Sequence, residues 1–247
     1  MTGDRSLLGG EFAPLTDSIQ LIQEDPQEVA AAVLARMRKA YPKARNWVQE
    51  GRGGLREAIA AMEHVRPMAD RRVVMRTTRD GWTAGFANGR ATFDWGLAEA
   101  GGERWMFRAF LPRGAGEYDV ALERSDYWNG VYEGRNVRVM LAREGSRLLE
   151  VQHLGERWPF EPEYKYRRRV RPEVMTADVM AGFVRELGFD WVWDDEQYAP
   201  DGRFWLVGTS FFAKRRFFGK KHLNERFTFD QAREQWQAEL TSHPILS

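Results

Sequence analysis

Residues 73–87 read Val73-Val74-Met75-Arg76-Thr77-Thr78-Arg79-Asp80-Gly81-Trp82-Thr83-Ala84-Gly85-Phe86-Ala87, and this stretch decides the fold class. Its period-two pattern on either side of Asp80-Gly81 predicts a β-hairpin, because Asp-Gly tolerates the positive φ of a type I′ turn. A two-residue loop would set Arg79 opposite Trp82, Thr77 opposite Ala84 and Met75 opposite Phe86. The Met75–Phe86 end would then face the core, with Arg79 and Trp82 in a cation–π contact at the tip.

Working outward, a second hairpin is expected from residues 137–143 and 147–154. A three-residue loop, Glu144-Gly145-Ser146, pairs Leu141 with Leu149 and Val139 with Val151. A two-residue loop would set Leu141 against Glu150 and spoil the apolar face. Further strands are expected at residues 18–23 (SIQLIQ), 104–111, 117–124 and 203–212.

Helices flank these strands. Asp25-Pro26-Gln27-Glu28 reads as a helix start, with Asp25 as cap, Pro26 in the first turn and Glu28 reaching back to the cap amide. Val29, Ala30, Val33, Leu34 and Met37 line one face of that helix, and Pro42 closes it. A second helix is expected over residues 55–65, with Leu55, Ala58, Ile59 and Met62 inward. A third spans about 176–187, carries Met180, Phe183, Val184 and Leu187, and stops at Gly188. The last starts at Thr228-Phe229-Asp230-Gln231, a capping-box pattern, and turns Ala232, Trp236 and Leu240 inward. Strands and helices in separate runs argue an α+β class: a mostly antiparallel, twisted sheet with about four helices packed on it. Residues 1–247 are expected to form a single α+β domain, with a soft subdomain boundary near 161–172.

Composition bounds the chemistry. Among 247 residues there is no cysteine, which excludes disulfides, cysteine nucleophiles, thiolate metal sites and iron–sulfur clusters. Absence of cysteine favours a reducing compartment. The N-terminus lacks a basic stretch followed by an apolar run, and no segment reaches the roughly 18 apolar residues of a membrane span. A cytoplasmic protein without membrane contact is the expectation. Lysine and arginine total 37 against 36 acidic residues, so there is no global field to draw nucleic acid. The compositional excess is aromatic, with 15 Phe, 10 Trp and 7 Tyr; aromatics fill cores and also populate recognition surfaces.

No constellation nominates a catalytic residue, a metal site or a cofactor. His64, His153, His222 and His243 share no metal-ligand spacing. Gly51-Arg52-Gly53-Gly54 precedes a helix, but with no strand evident before it and no Gly-Lys-Ser/Thr after it, it reads as a helix–helix turn rather than a phosphate loop. Asp194-Asp195-Glu196 offers hard oxygen ligands, against which stands the simpler reading of a solvated loop. Glu163-Tyr164-Lys165 has the Glu-x-Lys spacing of a metal-dependent nuclease strand, with Asp126 a distant partner. Tyr164–Arg171 (YKYRRRVR), if extended, projects Lys165, Arg167, Arg169 and Arg171 from one face, and KRRFFGKK at 214–221 is a second basic run. Tyr127-Trp128-Asn129-Gly130 reads as a turn between strands. Trp128 with Tyr132, and Arg79 with Trp82, are candidate anchors for a protein partner, because such residues dominate binding hot spots.

Three segments together carry a resemblance: Gly81-Trp82-Thr83-Ala84-Gly85-Phe86-Ala87-Asn88-Gly89; Arg157-Trp158-Pro159-Phe160-Glu161 followed by Tyr164 and the arginines; and the Thr176–Gly188 helix ending in Leu-Gly. They resemble an uncharacterised family of bacterial hypothetical proteins, similar in size and character to immunity-type proteins that neutralise toxins by binding. The arginine run departs from the family's pattern. The resemblance implies no catalytic residue and carries none over. The functional expectation is a non-catalytic protein-binding protein of immunity type whose partner is a cognate bacterial toxin. The alternative is a nucleic-acid binder or metal-dependent nuclease using Glu163, Lys165 and the arginines.

Overall fold

A computed structural model describes residues 7–13, 15–66, 69–89, 104–108, 120–128, 131–133, 136–141, 149–161, 177–210 and 225–241; in the strands between 104 and 154 it describes the backbone. The strands are β1 (Ser18–Ile22), β2 (Arg45–Arg52), β3 (Arg71–Arg76), β4 (Thr83–Ala87), β5 (Arg104–Arg108), β6 (Val120–Trp128), β7 (Val131–Glu133), β8 (Asn136–Leu141), β9 (Leu149–Leu154) and β10 (Arg203–Ser210). The helices are α1 (Pro26–Ala40), α2 (Leu55–Ala60), α3 (Ala177–Glu186) and α4 (Phe229–Thr241). The chain is α+β. Its sheet runs β2-β10-β3-β4-β1-β5-β6-β8-β9, with β7 paired to β6, and every named pairing is antiparallel.

The sheet separates two apolar layers. Along β10, Phe204 and Leu206 enter one layer while Trp205 and Val207 enter the other; along β3, Val73 and Met75 part from Val74 in the same way. This is the period of two expected of a strand buried on both faces. The smaller layer lies under α1, where Val29, Ala30, Val33, Leu34 and Met37 meet Val74, Trp205 and Val207. The larger layer gathers Ile19, Leu21, Ile59, Met62, Phe86, Phe183, Phe189 and Tyr198. Each fully buried large apolar side chain contributes about 1.5–3 kcal/mol, so these layers dominate the stability of the fold.

Local chemistry sets the helix ends. Asp25 caps α1, its carboxylate accepting from Gln27 N at 2.9 Å, with Pro26 at the first helical position. The Asp25 amide donates to Glu24 Oε1 at 3.0 Å, so Glu24 fills the place the sequence reading gave to Glu28. Helix α3 ends in a Schellman motif: Gly188 N donates to Arg185 O, Phe189 N to Val184 O, and Gly188 takes φ 79°. At α4 the capping box is complete, Gln231 N donating to Thr228 Oγ1 at 3.2 Å and Thr228 N to Gln231 Oε1 at 3.0 Å. Helix α2 is shorter than expected, because Val65 leaves it to exchange backbone hydrogen bonds with Phe227.

The two hairpins turned out differently. In β8–β9 the register is the expected one, Leu141 opposite Leu149, Val139 opposite Val151 and Val137 opposite His153. In β3–β4 it is shifted by two: Met75 faces Ala84 and Val73 faces Phe86. Thr77 is the cause. Its amide and hydroxyl both donate to Trp82 O at 3.0 Å, which ends the ladder early and leaves residues 78–81 as the loop. Trp82 N then donates to Arg79 O at 3.2 Å with positive φ at Gly81 alone, the signature of a type II turn rather than type I′. A shift of two keeps every side chain on its intended face, so the core survives the change.

One strand was missed. Of Gly51-Arg52-Gly53-Gly54, expected as a helix–helix turn, Gly51 and Arg52 are the last residues of β2, which pairs along its full length with β10. Two glycines make that pairing close. A Cβ on Gly208 would stand 2.2 Å from the Trp47 ring, and one on Gly51 would stand 2.2 Å from Phe204. Each aromatic ring thus lies across the strand over the glycine opposite it.

Candidate functional site

The polar residues nominated from sequence are mostly occupied in holding backbone. Asp194 accepts from Glu196 N at 3.1 Å and from Gln197 Nε2 at 2.9 Å, and Asp195 accepts from Leu8 N at 2.8 Å. Asp194 therefore caps a short 3₁₀ turn and Asp195 pins the N-terminal segment. Among the described residues no group of three or more His, Asp or Glu side chains is arranged to hold a metal ion. Close by, the buried Tyr198 hydroxyl donates to Val192 O. Burial raises its pKa well above the ordinary phenol value, and the charges of Asp195 and Asp194 add to the effect.

Gly53 and Gly54 do follow a strand, but the start of α2 is already satisfied. Glu57 Oε2 accepts the Gly54 amide at 2.9 Å, placing a carboxylate where a phosphate would sit. His64 is exposed. His153 lies in β9 opposite Val137.

The proposed anchors need correction. Trp82 is buried, 8 % exposed, with its ring edge-on to Phe189 at 5.1 Å. It is a core residue and offers no surface to a partner. Arg79 holds this corner together: its guanidinium lies 5.6 Å from the Trp82 ring centre and 4.8 Å from that of Phe189, and donates to Gly188 O at 2.8 Å. The cation–π contact foreseen at the hairpin tip is present, and it clamps the β3–β4 loop to the C-terminus of α3. Trp128 and Tyr132 lie in a two-stranded ladder rather than a loop. Trp128 faces Val131 and Tyr132 faces Tyr127, which sets Trp128 and Tyr132 on opposite faces of that ladder. Glu163, Lys165, Arg167, Arg169, Arg171 and the 214–221 run lie outside the described residues.

A polar centre unforeseen in the sequence sits beneath β3 and β4. Asn88 is fully buried; its Oδ1 accepts from Asp70 N and Arg71 N, each at 2.9 Å. Its Nδ2 donates to His64 O at 2.8 Å, Asp70 Oδ1 at 2.9 Å and Met62 O at 3.3 Å. Arg66 pairs with Asp70, and Arg71 donates to Glu63 O. Gly89 follows because a Cβ there would stand 2.9 Å from Ala69 N. The Asn88-Gly89 pair of the resemblance motif is thus a structural tie.

The exposed feature with the most organisation is a chain of charges at one end of the sheet, on the α1 side. Arg52, Arg203 and Arg76 occupy neighbouring positions on β2, β10 and β3. Arg203 Nε donates to Glu50 Oε1 at 3.0 Å, Arg52 stands 3.6 Å from the same oxygen, and Arg76 reaches the cap carboxylate of Asp25 at 3.2 Å. The hydrogen bond from Arg203 is the main reason the Glu50 pKa is lowered, and the reciprocal bond raises that of Arg203. Arg203 also stacks on Trp205 at 5.3 Å, fixing its direction. No helix among the described residues is long and apolar enough to cross a membrane. No family model, no curated protein and no solved structure matches the chain.

Proposed function

We propose that the chain is a non-catalytic protein-binding protein of immunity type, which neutralises a bacterial toxin by occupying it. The observation that carries this reading is the Arg52–Glu50–Arg203 and Arg76–Asp25 array. Asp25 has a folding role as the cap of α1, but exposed ion pairs contribute only about 0–1 kcal/mol each to stability, so folding alone gives little reason to align Arg76, Arg203, Arg52 and Glu50 beside it across three strands. At an interface, charges arranged in this way set register and encounter rate through complementarity, and that is the role proposed for the array. Three arginines against two carboxylates leave the array positive, so the matching surface of the partner is acidic. The other acidic clusters described above act within the fold, as caps and ties, which is what a binding scaffold requires.

Co-purification tests the reading. The tagged chain, expressed with the toxin-like protein encoded beside its own gene, should bring it down in stoichiometric amount and silence its activity. Charge reversal by Arg203→Glu should weaken the complex while leaving the circular dichroism spectrum unchanged. A genomic neighbourhood with no toxin-like chain, or a complex indifferent to Arg203, would remove the reading.

A further inference from the structure

Strand β2 lies at one end of the described sheet. Among the described residues its sole strand neighbour is β10, with which it pairs without a bulge over eight residues. A strand edge offers a row of backbone donors and acceptors to another strand, and proteins that stay monomeric blunt such edges with proline, bulges or lysine. Residues 45–52 contain no proline, lysine or bulge; the charges on this edge are Arg45, Glu50 and Arg52, of which Glu50 is already paired with Arg203 and Arg52. At the middle of the strand stands Val48, 43 % exposed, the exposed large apolar side chain among the described residues.

We propose that a second copy of this chain occupies this edge, pairing β2 with β2 antiparallel about a two-fold axis through Val48. Symmetry narrows the registers. A two-fold axis perpendicular to the sheet keeps α1 on the same side in both copies, so opposed residues must belong to the same face. Centred on Val48, the pairing sets valine against valine, Asn46 against Glu50, Arg45 against Gly51 and Arg52 against Ala44. Valine meets valine, Trp47 meets Gln49, and no like charges stand opposite one another. Centred on Glu50, two carboxylates would oppose each other. Centred on Gln49, Val48 would face Glu50.

The helices leave room. Helix α1 lies chiefly over β10, so with strands about 4.8 Å apart the two α1 axes would stand roughly 14 Å from each other. That exceeds the 8–10 Å of packed helices, so α1 of one copy clears α1 of the other.

Absence of native cysteine makes the test clean. Single-cysteine variants Val48→Cys, Gln49→Cys and Glu50→Cys are made in the full chain, checked for native circular dichroism, and mildly oxidised. Opposed positions in an antiparallel pair have Cα atoms about 4.5–5.5 Å apart, within disulfide range. Two copies of position 50 would be about 14 Å apart. The expected result is a disulfide-linked dimer from Val48→Cys, with Gln49→Cys and Glu50→Cys remaining monomeric. In parallel, sedimentation of the unmodified chain should show mass rising with concentration from 28.7 kDa towards twice that value, and Val48→Lys should hold it at the monomer. A chain that stays monomeric at high concentration, or cross-linking through position 49 or 50 in preference to 48, would overturn the proposal. Because the chain is studied alone, that failure is separate from any failure to bind a toxin.

Discussion

Replacing Asn88 by alanine should be among the most damaging single changes available in this chain. The side chain is fully buried and makes five hydrogen bonds, four of them to backbone: the amides of Asp70 and Arg71 and the carbonyls of Met62 and His64. Alanine leaves those four groups without their partner. Each buried group left unsatisfied costs about 1–3 kcal/mol. Taking the low end, because Asp70 and Arg71 are only part-buried, the loss sums to about 4 kcal/mol. That is a large share of the 5–15 kcal/mol typical of a domain. Urea denaturation followed by tryptophan fluorescence would measure it, as a lowered midpoint at unchanged slope. Aspartate at this position should be no better, since it can accept from the two amides but cannot donate to the two carbonyls. A loss below about 1 kcal/mol for Asn88→Ala would refute the reasoning, because it would mean water replaces the amide without penalty.

Three further outcomes follow from the packing and the titrating groups. Gly208→Ala should destabilise the protein by about 1–3 kcal/mol through the clash with Trp47, and a Trp47→Leu partner substitution should recover part of that loss in thermal melts. Tyr198 has its folded pKa raised by burial. It therefore favours folding fully below the unfolded phenol pKa of about 10, and that contribution is lost as pH rises above it; Tyr198→Phe should flatten the alkaline fall in stability measured by denaturation between neutral pH and pH about 11. Glu50 has its folded pKa lowered, chiefly by Arg203. Its small contribution is present above the unfolded carboxylate pKa and disappears as pH falls through the folded value, so Glu50→Gln should reduce the acid-side slope, most visibly at low salt.

Much of the fold was legible because particular residues left one physical option. The β8–β9 register followed from matching Leu141 with Leu149 and Val139 with Val151. The starts of α1 and α4 followed from side chains that can only usefully accept from the first helical turn. Strand β2 was hidden for the opposite reason. Arg45-Asn46-Trp47-Val48-Gln49-Glu50-Gly51-Arg52 lies at an edge and is largely exposed on both faces, so it needs no apolar alternation, and its glycines read as a turn until Phe204 and Trp47 are seen lying over them. The β3–β4 register escaped because Asp80-Gly81 favours a short loop, while Thr77 and the buried Trp82 favour a longer one, and burial outweighs turn preference.

The candidate site was less legible than the fold. Arg79 was correctly seen beside Trp82, but nothing local reveals that Phe189 and Gly188, more than a hundred residues away, complete the clamp and draw the tryptophan inside. The charge array assembles Asp25, Glu50, Arg52, Arg76 and Arg203 from three strands and the cap of α1, and no spacing in the chain links them. Asn88 sits before a glycine, a pairing usually spent on a turn, and only its burial shows it to be a tie.

The most direct measurement of the central claim is calorimetric titration of the chain with a toxin-like protein, if its genomic neighbourhood encodes one, at two salt concentrations. The account predicts one-to-one binding that weakens as salt rises, weakens again with Arg203→Glu, and coincides with loss of toxin activity. Absence of binding, or binding unchanged by both salt and Arg203→Glu, would contradict it.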